Sequence, residues 1–204
     1  MEIICLELLH QGYDAMLLGK GYNVDWKEDK LTVHYIAHMK NLEICEENQI
    51  TIIPQFVIYS EEHAFGNEEV ENAPRIDFKF IKWFQRFEID FFAEAKNLSE
   101  KSWKKKSRAN VDASYYYNRY IETGISHLIS GYYPNTCFLI AYILNGERNN
   151  IINNLNNRIL KDFSTNGYGQ IVKPIPSVHE EYYISENIFE ENNVIVKHLF
   201  LQLA

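Results

Sequence analysis

The sequence predicts an α/β protein whose core runs αβββαβ: a central mixed β-sheet flanked by helices, with an extra helix and a β-hairpin at the C-terminal end. Three observations predict it. Residues 72–98 alternate apolar and charged positions on both sides of a short break, the pattern of a tight antiparallel hairpin. Residues 136–144 (TCFLIAYIL) form an unbroken apolar run, expected of a strand covered on both faces. Helical apolar spacing precedes each of these, over 25–39 and 99–130.

Taken in order, the first 14 residues carry acids inside an apolar run and lack a basic start, which argues against a signal peptide. Residues 25–39 read as a helix, with Leu31, Tyr35 and either His34 or His38 on one stripe and Glu28 in the first turn. Residues 50–59 are β-branched and aromatic, a strand in which Pro54 marks a bulge or an edge. An acidic loop over 60–72 leads into the hairpin. There Ile76, Phe78 and Phe80 on the first strand, with Ile89, Phe91, Ala93 and Ala95 on the second, make one apolar face; Asp77, Lys79, Asp90, Glu94 and Lys96 line the other. Residues 99–130 read as helical with a break near 108–111, and Ala113, Tyr117, Tyr120 or Ile121, Gly124 and Leu128 form its buried stripe. Gly131 and Pro134 end it. After the apolar strand come a polar helix over 147–162, a Gly/Pro loop over 167–176 and a final hairpin from 182–185 and 194–203. The whole reads as one domain over 1–204, with a core at about 25–145 and a C-terminal extension over 146–204.

A chain of 204 residues with 46% hydrophobic content is long and apolar enough for a sizeable core. Its net charge of −8 argues against nucleic-acid binding over the whole surface. Basic residues concentrate instead in 96–108 (KNLSEKSWKKKSR), where Lys104, Lys105, Lys106 and Arg108 are either phosphate contacts or a solvated helix start. Cys5, Cys45 and Cys137 are odd in number and far apart, so they make neither a disulfide framework nor a zinc site, and a reducing cytoplasm is the simplest home. No apolar stretch reaches transmembrane length, and no membrane partner is expected.

The charged face of the hairpin carries the chemistry. A turn centred between Gln85 and Arg86 puts Asp77 directly opposite Glu94, at a Cβ separation of about 4.5–5.5 Å. Two carboxylates that close suit Mg²⁺, and Lys96 emerges on the same face two residues beyond Glu94. Acid-x-base triplets also occur at Asp25-Trp26-Lys27, Glu28-Asp29-Lys30 and Asp77-Phe78-Lys79, so the tripeptide means little without its context. The plain alternative is an amphipathic hairpin with solvated charges. On the reading as a site, replacing Asp77, Glu94 or Lys96 by alanine is expected to abolish cleavage while leaving the fold intact.

With Pro74-Arg75-Ile76-Asp77 followed by Glu94-Ala95-Lys96, residues 25–145 resemble the PD-(D/E)XK nuclease superfamily, the restriction-endonuclease-like fold. The resemblance implies that Asp77 and Glu94 bind Mg²⁺, with Mn²⁺ as a substitute, and that Lys96 positions or activates water. It also implies that Glu28 is the helical acid completing the site. The proline stands three residues before Asp77 rather than next to it. Asp90 is expected as a solvated or supporting acid, Glu69 and Glu71 as loop rim, and Arg119 as a phosphate ligand. His34 and His38 lack the HExxH pattern and a third ligand, and read as helix surface and core. The expected function is a metal-dependent nuclease, with DNA as the favoured partner, of the kind used in prokaryotic restriction or antiphage systems as a homodimer or within a larger defence complex. The alternatives are a non-catalytic nucleic-acid- or protein-binding module on the same fold, or an RNase.

Overall fold

A computed structural model describes residues 1–163, 166–175 and 179–204. It is α/β. Among the described residues a six-stranded mixed sheet runs β1-β2-β3-β6-β8-β7, and a two-stranded ribbon, β4-β5, stands apart. The sheet strands are β1 (Thr51–Val57), β2 (Arg75–Phe84), β3 (Phe87–Leu98), β6 (Cys137–Ile143), β7 (Tyr182–Phe189) and β8 (Asn192–Gln202); the ribbon is β4 (Trp103–Lys104) with β5 (Asn110–Val111). Helices α1 (Glu2–Gly19), α2 (Glu28–Lys40) and the short α3 (Glu43–Glu47) cover one face. The other is covered by α5 (Ala113–Arg119), a π segment (Tyr120–Ile125) and α6 (Ser126–Ile129), which run on without interruption, together with α7 (Arg148–Asp162). The acidic loop holds α4 (Glu61–Ala64) and a 3-10 turn at Val70–Asn72.

The hairpin register is the expected one: Phe84 pairs with Phe87 and Ile81 with Asp90, leaving Gln85 and Arg86 as the loop. Pro54 lies in edge strand β1, where a missing N–H costs no ladder bond on the open side. β6 alternates Phe138, Ile140 and Tyr142 into one core and Cys137, Leu139, Ala141 and Ile143 into the other. That two-sided burial explains its unbroken apolar sequence.

Three expectations are corrected, and one helix is added. Residues 99–111 are not helical: the run forms the β4-β5 ribbon, and the helix starts only at Asp112, whose side chain caps the Ser114 N–H at 2.9 Å. The C-terminal hairpin is no appendage, because β8 pairs in parallel with β6 inside the central sheet. The N-terminal residues form α1, whose buried Cys5, Leu8, Leu9, Tyr13 and Met16 hold one side of the core. Finally, Ile76 leaves the face of Phe78 and Phe80 and packs in the second core with Phe92. The expected Gly/Pro loop ends at Pro176, which lies outside the described residues.

The π segment puts both Tyr120 and Ile121 in the core, where regular helical spacing predicted one of them. Tyr120 Oη lies 2.8 Å from His198 Nδ1, and Ser185 Oγ lies 2.9 Å from His198 Nε2, all three fully buried. Burial lowers the His198 pKa to about 3, so the folded state holds it neutral. An unfolded histidine binds its proton near pH 6.5, so this stabilisation is fully present above that pH and is lost as pH falls toward the folded value. Wild-type protein is therefore expected to lose up to about 1.4 kcal/mol per pH unit more than His198→Gln across that window. Denaturant titrations at several pH values, run on both proteins, would show parallel curves if the assignment were wrong.

Candidate active site

The site begins where two strands part. The β2–β3 ladder stops at Phe78 with Ala93, one pair short of Asp77, so Asp77 is not the cross-strand partner of Glu94 that the register alone predicts. Opposite this point in β1, Gln55 takes φ 49 and is skipped between the pairs Pro54–Phe78 and Phe56–Ile76. The departure of β2 leaves the Ala95 and Asn97 N–H groups of β3 without a strand acceptor. Two carboxylates replace it: Asp77 Oδ2 accepts from Ala95 N at 2.6 Å and Glu28 Oε2 from Asn97 N at 2.9 Å. Unpaired backbone donors inside a protein are costly, which fixes both acids here. Glu28 arrives from the first turn of α2, so residues far apart in sequence meet over one strand.

Asp77, Glu94, Lys96, Glu28 and Arg119 line one cleft of about 300 Å³. The face expected to be open is roofed by the α5–α6 helix: Glu94 is 5% and Lys96 3% exposed. Lys96 Nζ donates to Glu94 Oε1 and, at 3.2 Å, to the Ala95 carbonyl. Tyr133, which the sequence did not single out, sets its hydroxyl 3.4 Å from Glu94 Oε1 and 3.2 Å from the Arg75 carbonyl. Burial, and then the Glu94 charge, raise the Asp77 pKa to about 8 against the downward pull of the Ala95 N–H and Lys96. Burial likewise pushes Glu94 up, opposed by Lys96.

A hard divalent ion fits this donor set. The carboxylates of Asp77, Glu94, Glu28 and Asp29 line the cleft, and burial beside Glu94 raises the Asp77 pKa, so a cation placed there would be favoured. Asp77 and Glu94 would hold the ion. Glu28 is better described as a positioning acid, because the three carboxylates do not all lie within 4.8 Å of one another. Among the described residues the trio that does is His10, His179 and Glu181.

Arg119 stands at the mouth, Nη2 4.0 Å from Glu28 Oε1, with 37% of its side chain exposed. An adjoining cleft shares Glu28, Asp29 and Arg119 with the first and reaches Lys105. Lys105 itself is committed to structure, donating to the Asp25 carbonyl at 2.8 Å and the Trp26 carbonyl at 3.2 Å. Lys104, Lys106 and Arg108 are exposed on the ribbon. Asp90 and Lys79 lie away from the cleft in an ion pair of 2.8 Å, with Glu88 at 2.7 Å from the same ammonium. Glu69 borders a different depression, with His63 and Glu68, and Glu71 is exposed. His34 and His38 are half-buried on α2, with their Nε2 atoms 3.3 Å apart.

No protein-family model, curated protein or solved structure matches the chain.

Proposed function

We propose that the protein is a Mg²⁺-dependent nuclease of the restriction-endonuclease-like class, acting on DNA. The observation that carries this reading is the meeting of Asp77, Glu94 and Lys96 in one cleft where β2 parts from β3, with Asp77 short of positive charge. The antiparallel β1-β2-β3 followed by parallel β6 supports the same reading, because it is the strand arrangement that the resemblance implies. Mg²⁺, when bound, supplies Lewis-acid charge at the scissile phosphate and a more acidic water. The chain's own residues do the rest. Lys96 neutralises Glu94 and offers its remaining N–H donor to a water or a phosphoryl oxygen. Arg119 at the mouth, with Lys104, Lys106 and Arg108 on the neighbouring ribbon, meets the phosphate backbone. A stand-alone nuclease of this size suits a prokaryotic restriction or antiphage system in the cytoplasm, with specificity coming from a dimer or another subunit.

Two observations favour a second reading, a non-catalytic binding module: the Glu94–Lys96 pair is closed and the acids do not fully converge. The test is to incubate the protein with Mg²⁺ and, separately, supercoiled DNA, single-stranded DNA and RNA. Cleavage of DNA that stops with EDTA, and Ca²⁺-dependent binding without cleavage, are the expected results. Cleavage of RNA alone would reassign the substrate. Folded protein that binds Mg²⁺ yet leaves all three intact would overturn the nuclease in favour of the module.

A further inference from the structure

We infer that the protein carries a second metal site, distinct in place and chemistry from the Asp77 cleft. In it His10, His179 and Glu181 bind a transition-metal ion of the zinc class and clasp α1 to the start of β7. None of these three residues lines the Asp77 cleft. One ligand atom from each lies within 4.8 Å of the others. The two imidazoles are packed with their centroids 4.3 Å apart, and His10 Nδ1 meets Glu181 Oε1.

The surroundings are those of a metal site as much as the ligands are. The Glu181 side chain is 4% exposed, and a carboxylate so buried needs firm positive charge beside it. A divalent ion held by the two imidazoles would supply that charge. Each histidine also has a carboxylate at its Nε2: Asp14 Oδ2 at 3.6 Å from His10 and Glu7 Oε2 at 3.5 Å from His179. Carboxylates behind the ring fix the orientation and raise the basicity of metal-bound histidines. His10 presents Nδ1 toward Glu181, with Asp14 Oδ2 3.6 Å from its other nitrogen.

The backbone sets up the same convergence. His10 lies on α1 one turn beyond Glu7 and one turn before Asp14, which places all three on one helical face. A hydrogen bond from Tyr182 N to the His179 carbonyl turns the chain ahead of β7, and the Phe200 N–H holds the Glu181 carbonyl against β8. Two imidazoles and a carboxylate select zinc-like ions over Mg²⁺, which prefers oxygen ligands and retained water. Water would complete four-coordination, with ligands at about 2.0–2.2 Å.

The test uses tag-free, chelator-treated full-length protein, with Mg²⁺ present throughout to compete at the Asp77 cleft. Titration with Zn²⁺ alone should show one tight site. At a hundredfold excess over Kd, zinc should raise Tm by roughly 5–10 °C. Asp77→Asn should keep that site, and His10→Ala and His179→Ala should each lose it. Co²⁺ added to wild-type protein should give visible bands of a nitrogen- and oxygen-ligated ion, a readout that needs no variant to fold. Wild-type protein that takes up no stoichiometric zinc would overturn the inference. So would a zinc site that survives both histidine variants or disappears in Asp77→Asn. Because this test reads binding and Tm, a failure of the nuclease assay leaves it standing.

Discussion

Asp77→Asn is expected to abolish cleavage, by at least about 10³-fold, while making the folded protein more stable at alkaline pH. The two effects share one cause. The Asp77 carboxyl is buried beside Glu94, and its pKa rises from 3.8 to about 8. Between those values the folded state binds a proton that the unfolded chain has released. Stability is therefore fully present below the unfolded pKa and is lost as pH rises through the folded one. Asparagine has no charge to lose, and its Oδ1 still accepts the Ala95 N–H that holds Asp77 in place. The gain in stability at pH 8–9 should be on the order of 2 kcal/mol, measured by denaturant titration against wild type. Metal reverses the sign for wild type alone, since binding must displace the proton. Mg²⁺ affinity should therefore climb with pH up to about 8. A folded Asp77→Asn protein that still cuts at the wild-type rate would end the assignment of this cleft.

The second large effect is in folding. Lys96→Met should destabilise the protein by about 3–5 kcal/mol, because it strands Glu94 as a buried charge without a partner. Glu94 and Lys96 are 5% and 3% exposed, so water cannot take over from the missing ammonium. This differs from what an open strand face would give, where the substitution would be nearly neutral. Glu94→Gln strands the ammonium in turn. The double variant Glu94→Gln, Lys96→Met should cost less than the sum of the singles, with a coupling of about 1–3 kcal/mol. At about 2–4 °C per kcal/mol in a chain of this size, Lys96→Met should lower Tm by roughly 10 °C. Simple additivity in the cycle would mean that the pair does not exist in solution. All three variants should be silent in the cleavage assay, so stability is the readout that separates the pair's structural part from its chemistry.

Much of this was legible in the sequence. Period-two alternation around Gln85 and Arg86 gave the hairpin register to the residue, because one slip would turn Phe78, Phe80, Phe91 and Ala93 out of the core. The unbroken run of β6 announced a strand covered on both faces. Helix α1 could have been found from Cys5, Leu8, Leu9, Tyr13 and Met16, whose spacing fits one helical stripe. The ribbon could not: KSWKKKSRAN has a helix-like composition, and what decides it is local, the turn at Arg108 with φ 65 and the anchoring of Lys105 on Asp25 and Trp26.

Which residues share a strand face can be read from the chain alone, because that follows from a period of two and the burial of apolar side chains. The same period sets Asp77, Glu94 and Lys96 apart from the apolar positions. Long-range packing set the parting of β2 from β3 at Asp77, since that depends on β1 turning at Gln55 and on Glu28 arriving from α2 to take the Asn97 N–H. It also decided that the α5–α6 helix buries the charged face, turning an ordinary strand pair of side chains into a coupled, desolvated one. The clasp of His10 with His179 and Glu181 joins the first helix to the last hairpin. Contacts over such separations leave no periodic trace in a single chain, because the packing that brings them together is set by the whole sheet and not by their neighbours in sequence.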